Sequence, residues 1–137
     1  MSIKCTYGDL DKIRDFPGRP GPLSKLMAAS EPSIINKFRI ARLTKAANER
    51  LAEYAKAMSE LGKKYGTEIK AEGSSAVTAW TIKPENSEAY MTEKKALDTE
   101  ECDLEANPLP LEAVEGTNLT ALDLTLLGPF VIPPKDY

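Results

Sequence analysis

From Ser33 to Leu61 the chain contains neither proline nor glycine, and the apolar residues of that region recur with a helical period. Ile40, Leu43, Ala47, Leu51, Tyr54, Met58, Leu61 and Tyr65 are spaced 3, 4, 4, 3, 4, 3 and 4 residues apart. A helix turns once in about 3.6 residues, so all eight side chains share one stripe. Pro32 suits a first turn, Ser30 or Ser33 suits a cap, and Gly66 suits a stop. The spacing predicts one helix over about residues 34–64, with Leu43, Leu51, Met58 and Leu61 buried. At 1.5 Å per residue it would be roughly 45 Å long. A chain of 137 residues has one modest core, too small to cover such a stripe. Part of the stripe is therefore expected to pack against the C-terminal half or against a second chain.

The other segments are short. Residues 2–16 read as an extended stretch and one or two helical turns, with Asp9 as a cap. Phe16-Pro17-Gly18-Arg19-Pro20-Gly21-Pro22 holds three prolines and two glycines, which exclude regular structure and mark a loop or a contacting arm. Residues 68–75 read as a polar connection. Residues 76–82 read as a strand placing Trp80 and Ile82 on one face. A helix over about 88–98, capped by Asn86 or Ser87, follows. Residues 101–105 alternate polar and apolar and are expected to pair with 76–82. Thr120 and Asp123 form a capping box, with Leu119 and Leu124 at the staple positions. This adds up to a single α+β domain over 1–137, mainly α. One long helix in the N-terminal half packs with a small β-hairpin or sheet and two shorter helices, and a Pro-containing tail spans 131–137.

Charge is divided along the chain. Residues 1–70 carry 14 Lys and Arg against 8 Asp and Glu, and residues 71–137 carry 4 against 13. Attraction between the two halves, within or between chains, accounts for this better than a polyanion site, because nucleic-acid-binding domains are basic overall and this chain is not. The outer side of the long helix begins with Lys37, Arg39, Arg42, Lys45 and Arg50. Phe38 alone among them could stack on a base, so nucleic acid is not an expected partner.

No constellation of catalytic residues stands out. There is no histidine, which removes the commonest general base and metal ligand. Phosphate-cradling and nucleophile-elbow motifs are missing from the sequence. Glu100, Glu101, Asp103 and Glu105 lack the spacing of a calcium loop and read as a solvated strand face. Cys5 and Cys102 lie far apart in sequence and read as two reduced thiols. No enzyme activity, metal or cofactor is expected. No apolar run reaches the roughly 20 residues of a membrane span, and Met1–Tyr7 lacks the apolar core of a secretory signal.

Residues 36–43 continuing to 61–66, then 90–104, then 119–131, taken in that order, resemble a family of small phage and prophage proteins without an assigned activity. Asn36-Lys37-Phe38-Arg39-Ile40-Ala41-Arg42-Leu43, continuing to Leu61-Gly62-Lys63-Lys64-Tyr65-Gly66, resembles that family's long helix. Tyr90 to Leu104 is similar to its helix and acidic strand. Leu119-Thr120-Ala121-Leu122-Asp123-Leu124-Thr125-Leu126-Leu127-Gly128-Pro129-Phe130-Val131 resembles its terminal pattern. The arm at 16–22 and the tail prolines depart from it. The resemblance implies phage origin and transfers no catalytic residues.

The expected function is that of a non-enzymatic phage accessory protein acting by protein–protein interaction, a virion or morphogenesis component of head, neck or tail. Its partners would be other phage structural proteins or further copies of itself. It would be made in the host cytoplasm and carried in the virion. The alternative is an inhibitor of a host defence complex that uses an acidic surface. The candidate contact residues are Phe16, Pro17, Arg19 and Pro20 in the arm, Arg39 and Arg42 on the helix, and Trp80, Phe130 and Tyr137. For Trp80 a core anchor is the favoured reading over a partner-facing contact.

Overall fold

The long helix, α3, runs from Ile34 to Tyr65. The Ser33 hydroxyl accepts the Asn36 amide hydrogen at its start, and at its end Gly66 N–H returns to the Gly62 carbonyl. Both ends match the sequence expectation. The computed structural model describes residues 2–70 and 77–134. Tyr137, one of the expected contact residues, lies outside them.

Around α3 the chain forms β1 (Ile3–Thr6), α1 (Tyr7–Ile13), α2 (Pro22–Ala28), β2 (Gly66–Lys70), β3 (Val77–Ile82), α4 (Ser87–Asp98), β4 (Glu101–Leu104), α5 (Leu111–Val114) and α6 (Ala121–Leu127). The fold class is α+β, mainly α, as the pattern predicts.

The strand pairing differs from the expectation. Residues 101–104 pair antiparallel with β1, whereas β3 pairs antiparallel with β2. Sequence-adjacent β2 and β3 pair at little loop-closure cost, so residues 68–70, expected within the polar connection 68–75, belong to a strand, while residues 71–75 lie outside the described residues. That frees β4 to pair with the first strand, with Ile3 opposite Leu104 and Cys5 opposite Cys102. The two thiols, remote in sequence, are neighbours: their sulfurs are 3.7 Å apart.

Local chemistry explains the short helices. Thr6, not Asp9, caps α1. Its hydroxyl accepts Asp9 N–H at 3.1 Å, and the Asp9 carboxylate accepts Thr6 N–H at 3.0 Å. Helix α2 was not anticipated. Pro22 occupies its first turn, where the missing N–H costs nothing. Thr120 and Asp123 make both bonds of the capping box at α6, although aspartate replaces the usual glutamate. Of the two staple positions, Leu119 packs against the core whereas Leu124 is 45% exposed. Asn86 gives α4 no side-chain cap and instead donates to the Tyr65 carbonyl.

The core gathers Leu10, Ile13, Leu26, Ile40, Leu43, Leu104, Leu109, Leu127 and Phe130 around the first half of α3. Leu51, Met58 and Leu61, expected inside, are only half-buried. The remaining elements are too few to cover the second half of a helix of 32 residues. Among the described residues, no helix is long and apolar enough to cross a membrane.

Candidate docking surfaces

The first turns of α3 carry two apolar faces. Asn36, Ile40, Leu43 and Ala47 point into the core. Each residue adds about 100° around the axis, which brings Ile34 and Phe38 to the far side and Ile35 to the flank. Ile34 is 71% exposed, Ile35 64% and Phe38 74%. Large apolar side chains scattered singly over a surface are ordinary, whereas three within two turns form a patch. Ile35 and Phe38 line a shallow groove together with Arg39, Arg42 and Asn107.

The rim of this patch is basic. Arg39 donates to the Asn36 side-chain oxygen at 2.9 Å, and Arg42 donates to the Glu105 carbonyl at 3.3 Å. These bonds steady the two guanidinium groups and leave both uncompensated by a carboxylate. Lys37 and Lys45 are exposed. Among the described residues, none of these four cations forms an ion pair. The sequence pointed to Arg39 and Arg42 but treated this side as solvated. The missed signal is Ile34, Ile35 and Phe38, which fall off the core stripe at helical spacing.

A second, open groove follows the other half of α3. Leu51, Tyr54, Met58, Trp80 and Tyr90 line it, with Asp11, Arg14 and Lys94 at its edges. Trp80 is half-buried and packs over Gly62, so it both anchors the hairpin and borders the groove. Behind the groove, Tyr54 donates to Asp98 at 2.6 Å and Lys94 donates to the same carboxylate at 2.8 Å. Burial raises the Tyr54 phenol pKa, and the bond to Asp98 raises it further. For Asp98, burial also acts upward, but the bonds from Lys94 and Tyr54 outweigh it and hold the carboxyl below its ordinary value.

The expected arm is a clamped turn. Phe16 and Arg19 exchange backbone hydrogen bonds of 2.9 Å each way. Gly18 has a positive φ of 75°. Proline followed by such a glycine is the residue pair of a type II turn, a local signal that the count of prolines and glycines concealed. Asp15 holds the far side, accepting Gly21 N–H at 2.6 Å and the Ser24 hydroxyl at 2.9 Å. These bonds lower the Asp15 pKa. The Arg14 and Arg19 guanidinium groups lie over the Phe16 ring at 4.1 and 5.2 Å. Pro17, Arg19 and Pro20 remain exposed, as a surface role requires, whereas Phe16 is partly covered.

Phe130 is not the surface contact expected of it but a core residue that packs within the chain. It is fully buried, because the turn Gly128–Phe130 folds it into the core beside β1. The next residues are tied down too: Ile132 N–H donates to the Leu109 carbonyl at 2.9 Å. Arg39, Arg42, Ile35 and Phe38 meet on one surface, Trp80 lies in the second groove, and the turn at 16–19 lines neither groove but adjoins the second through Arg14, which lies over the Phe16 ring.

The acidic run ends in a solvated strand face: Glu101, Asp103 and Glu105 are exposed. Among the described residues, no group of three or more His, Cys, Asp and Glu side chains could hold a metal ion. Comparison with protein-family models, with curated proteins and with solved structures finds no match to this chain.

Proposed function

We propose that this chain is a non-enzymatic bacteriophage accessory protein that grips another protein, as a virion or morphogenesis component of head, neck or tail. The observation that carries the docking role is the exposed cluster of Ile34, Ile35 and Phe38 at the start of α3. Apolar surface gains roughly 25 cal/mol per Å² when it leaves water, so a cluster of this size favours a partner. The unpaired cations around it select a partner surface with acidic groups and set its orientation more than its affinity. Other phage structural proteins and further copies of this chain are the candidate partners. The phage assignment rests on the order of the three sequence stretches. Mass spectrometry of particles purified from a lysate of the encoding phage or prophage tests the reading. Abundant wild-type chain is expected in the particles, and the folded Phe38→Asp variant is expected to be lost from them. Normal particles formed without the chain at any stage would overturn it.

A second reading, an inhibitor of a host complex, is favoured by the exposed Glu101, Asp103 and Glu105 in the acidic half. A surface of this sign can occupy a groove built for nucleic acid. Salt-sensitive binding to a purified host complex, abolished by neutralising these three and untouched by Phe38→Asp, would favour it over the first.

A further inference from the structure

Cys5 and Cys102 stand directly opposite each other on β1 and β4. Directly paired residues of antiparallel strands have Cα atoms about 4.5–5.5 Å apart, inside the range of about 4.4–6.8 Å that a disulfide spans. The sulfurs already lie 3.7 Å apart, in contact and unbonded. We infer that these two thiols form a redox pair, which a low-molecular-weight disulfide closes into a covalent tie between β1 and β4. This inference does not rest on the proposed docking role.

The two sulfurs have different access. Cys5 is buried, whereas Cys102 is only half-buried, which makes it the thiol that a small reagent meets first. Burial pushes the Cys5 thiol up to about 12, and its hydrogen bond with Cys102 adds to the rise. Burial holds the Cys102 thiol above its ordinary value as well, although the hydrogen bond with Cys5 and the positive charge of Arg50 act the other way. The charged groups facing the pair come from three elements: Asp9 of α1, Arg50 and Glu53 of α3, and Asp103 of β4. The nucleophile is the thiolate, so Cys102 reacts first and Cys5 resolves.

The chemistry balances in two exchanges. The Cys102 thiolate, having given its proton to solvent, attacks one sulfur of the reagent RS–SR. The reagent's S–S bond breaks, a mixed disulfide Cys102–S–S–R forms, and RS⁻ leaves and takes up a proton. The Cys5 sulfur, losing its own proton, then attacks the Cys102 sulfur. The Cys5–Cys102 bond forms, and the second RS⁻ leaves and is protonated. Two protein thiols are oxidised by two electrons, and one reagent disulfide is reduced to two thiols. A reducing cytoplasm keeps the pair open and an oxidising medium lets it close. The cysteines are 97 positions apart, so the bond would restrict a long loop of the unfolded chain.

The test treats reduced full-length protein with oxidised glutathione at about pH 8.5, near the ordinary thiol pKa. Mass spectrometry and non-reducing peptide mapping follow the products. Wild type is expected to lose two hydrogens and to yield one cross-linked peptide holding both cysteines. Its Tm is expected to rise by roughly 5–15 °C, reversibly with reductant. Cys5→Ser is expected to stop at a stable glutathione adduct on Cys102, and Cys102→Ser to react at least tenfold more slowly. Wild type that keeps both thiols free, holds a lasting glutathione adduct, or cross-links only between molecules would overturn the proposal. Because these outcomes are read on wild type, they stand even where a serine variant folds poorly.

Discussion

The Trp80 ring rests on Gly62 so closely that a Cβ built on the glycine would lie 2.3 Å from the ring's Cγ atom. That contact fixes the β2–β3 hairpin to the end of α3. Gly62→Ala would gain roughly 1 kcal/mol of helix propensity, but the methyl group cannot fit beneath the indole. A net loss of about 1–3 kcal/mol is expected, typical of overpacking. Trp80 fluorescence should shift toward that of a solvent-exposed indole. Urea titration with fluorescence checks both, and an alanine variant as stable as wild type would mean that the hairpin does not sit on the helix.

The helix stripe should divide energetically near its middle. Leu43 is fully buried and Leu51 only partly. Leu43→Asp would place an unpaired charge in the core and is expected to cost at least about 4 kcal/mol, enough to unfold a marginal domain. Leu51→Asp can turn its carboxylate into the open groove, so a smaller loss of about 1–2 kcal/mol is expected. Circular dichroism melts of the two variants decide it, and equal losses would contradict the groove.

Asp123 should be felt through acid. Its carboxylate accepts Thr120 N–H at 3.0 Å and receives Lys25 Nζ at 2.8 Å. Burial acts to raise its pKa, but the bonds from Lys25 and Thr120 prevail, and the folded value lies below the ordinary one. An aspartate depressed on folding stabilises fully above its unfolded pKa, about 3.9, and loses that contribution as pH falls through the folded value. Asp123→Asn is therefore expected to be less stable than wild type by about 1 kcal/mol near neutrality. The two should converge as the pH drops below about 3. Urea unfolding across this range supplies the check, and a constant gap at every pH would refute it.

At the other end of α3, Phe38→Asp should leave the fold alone. The side chain is 74% exposed, so the melting curve is expected to stay within about 0.5 kcal/mol of wild type. Binding to its partner, or self-association seen by sedimentation, should fall at least tenfold. A variant that binds as well as wild type would remove this patch from the interface.

What the sequence revealed depended on how local the cause was. The long helix was legible because its period and both its ends are written in residues close together. The pairing of β1 with β4 was not, since each strand has 4 residues and their partnership is decided by the packing of everything between them. Helix α2 escaped because Pro22 was counted with the turn before it, although proline also suits a helix's first position. On the candidate docking surface, Arg39 and Arg42 stand out in the sequence by their charge. Their apolar neighbours were missed because the stripe was read only for its core side. For Phe130 two readings stand open in the sequence, a surface contact and a packing partner of the helix stripe, and its burial decides for the second.

The location of Phe130 bears on how the chain must be made. The core runs from Ile3 to Phe130, so a nascent chain cannot close it before the last of these residues has left the ribosome. Until then the inner face of α3, with Ile40 and Leu43, stays open to other chains and to proteases. Fragments cut between α3 and β4 would carry a complete long helix without Leu104, Leu109, Leu127 and Phe130 to close its inner face, and the cell would meet them as sticky, short-lived species.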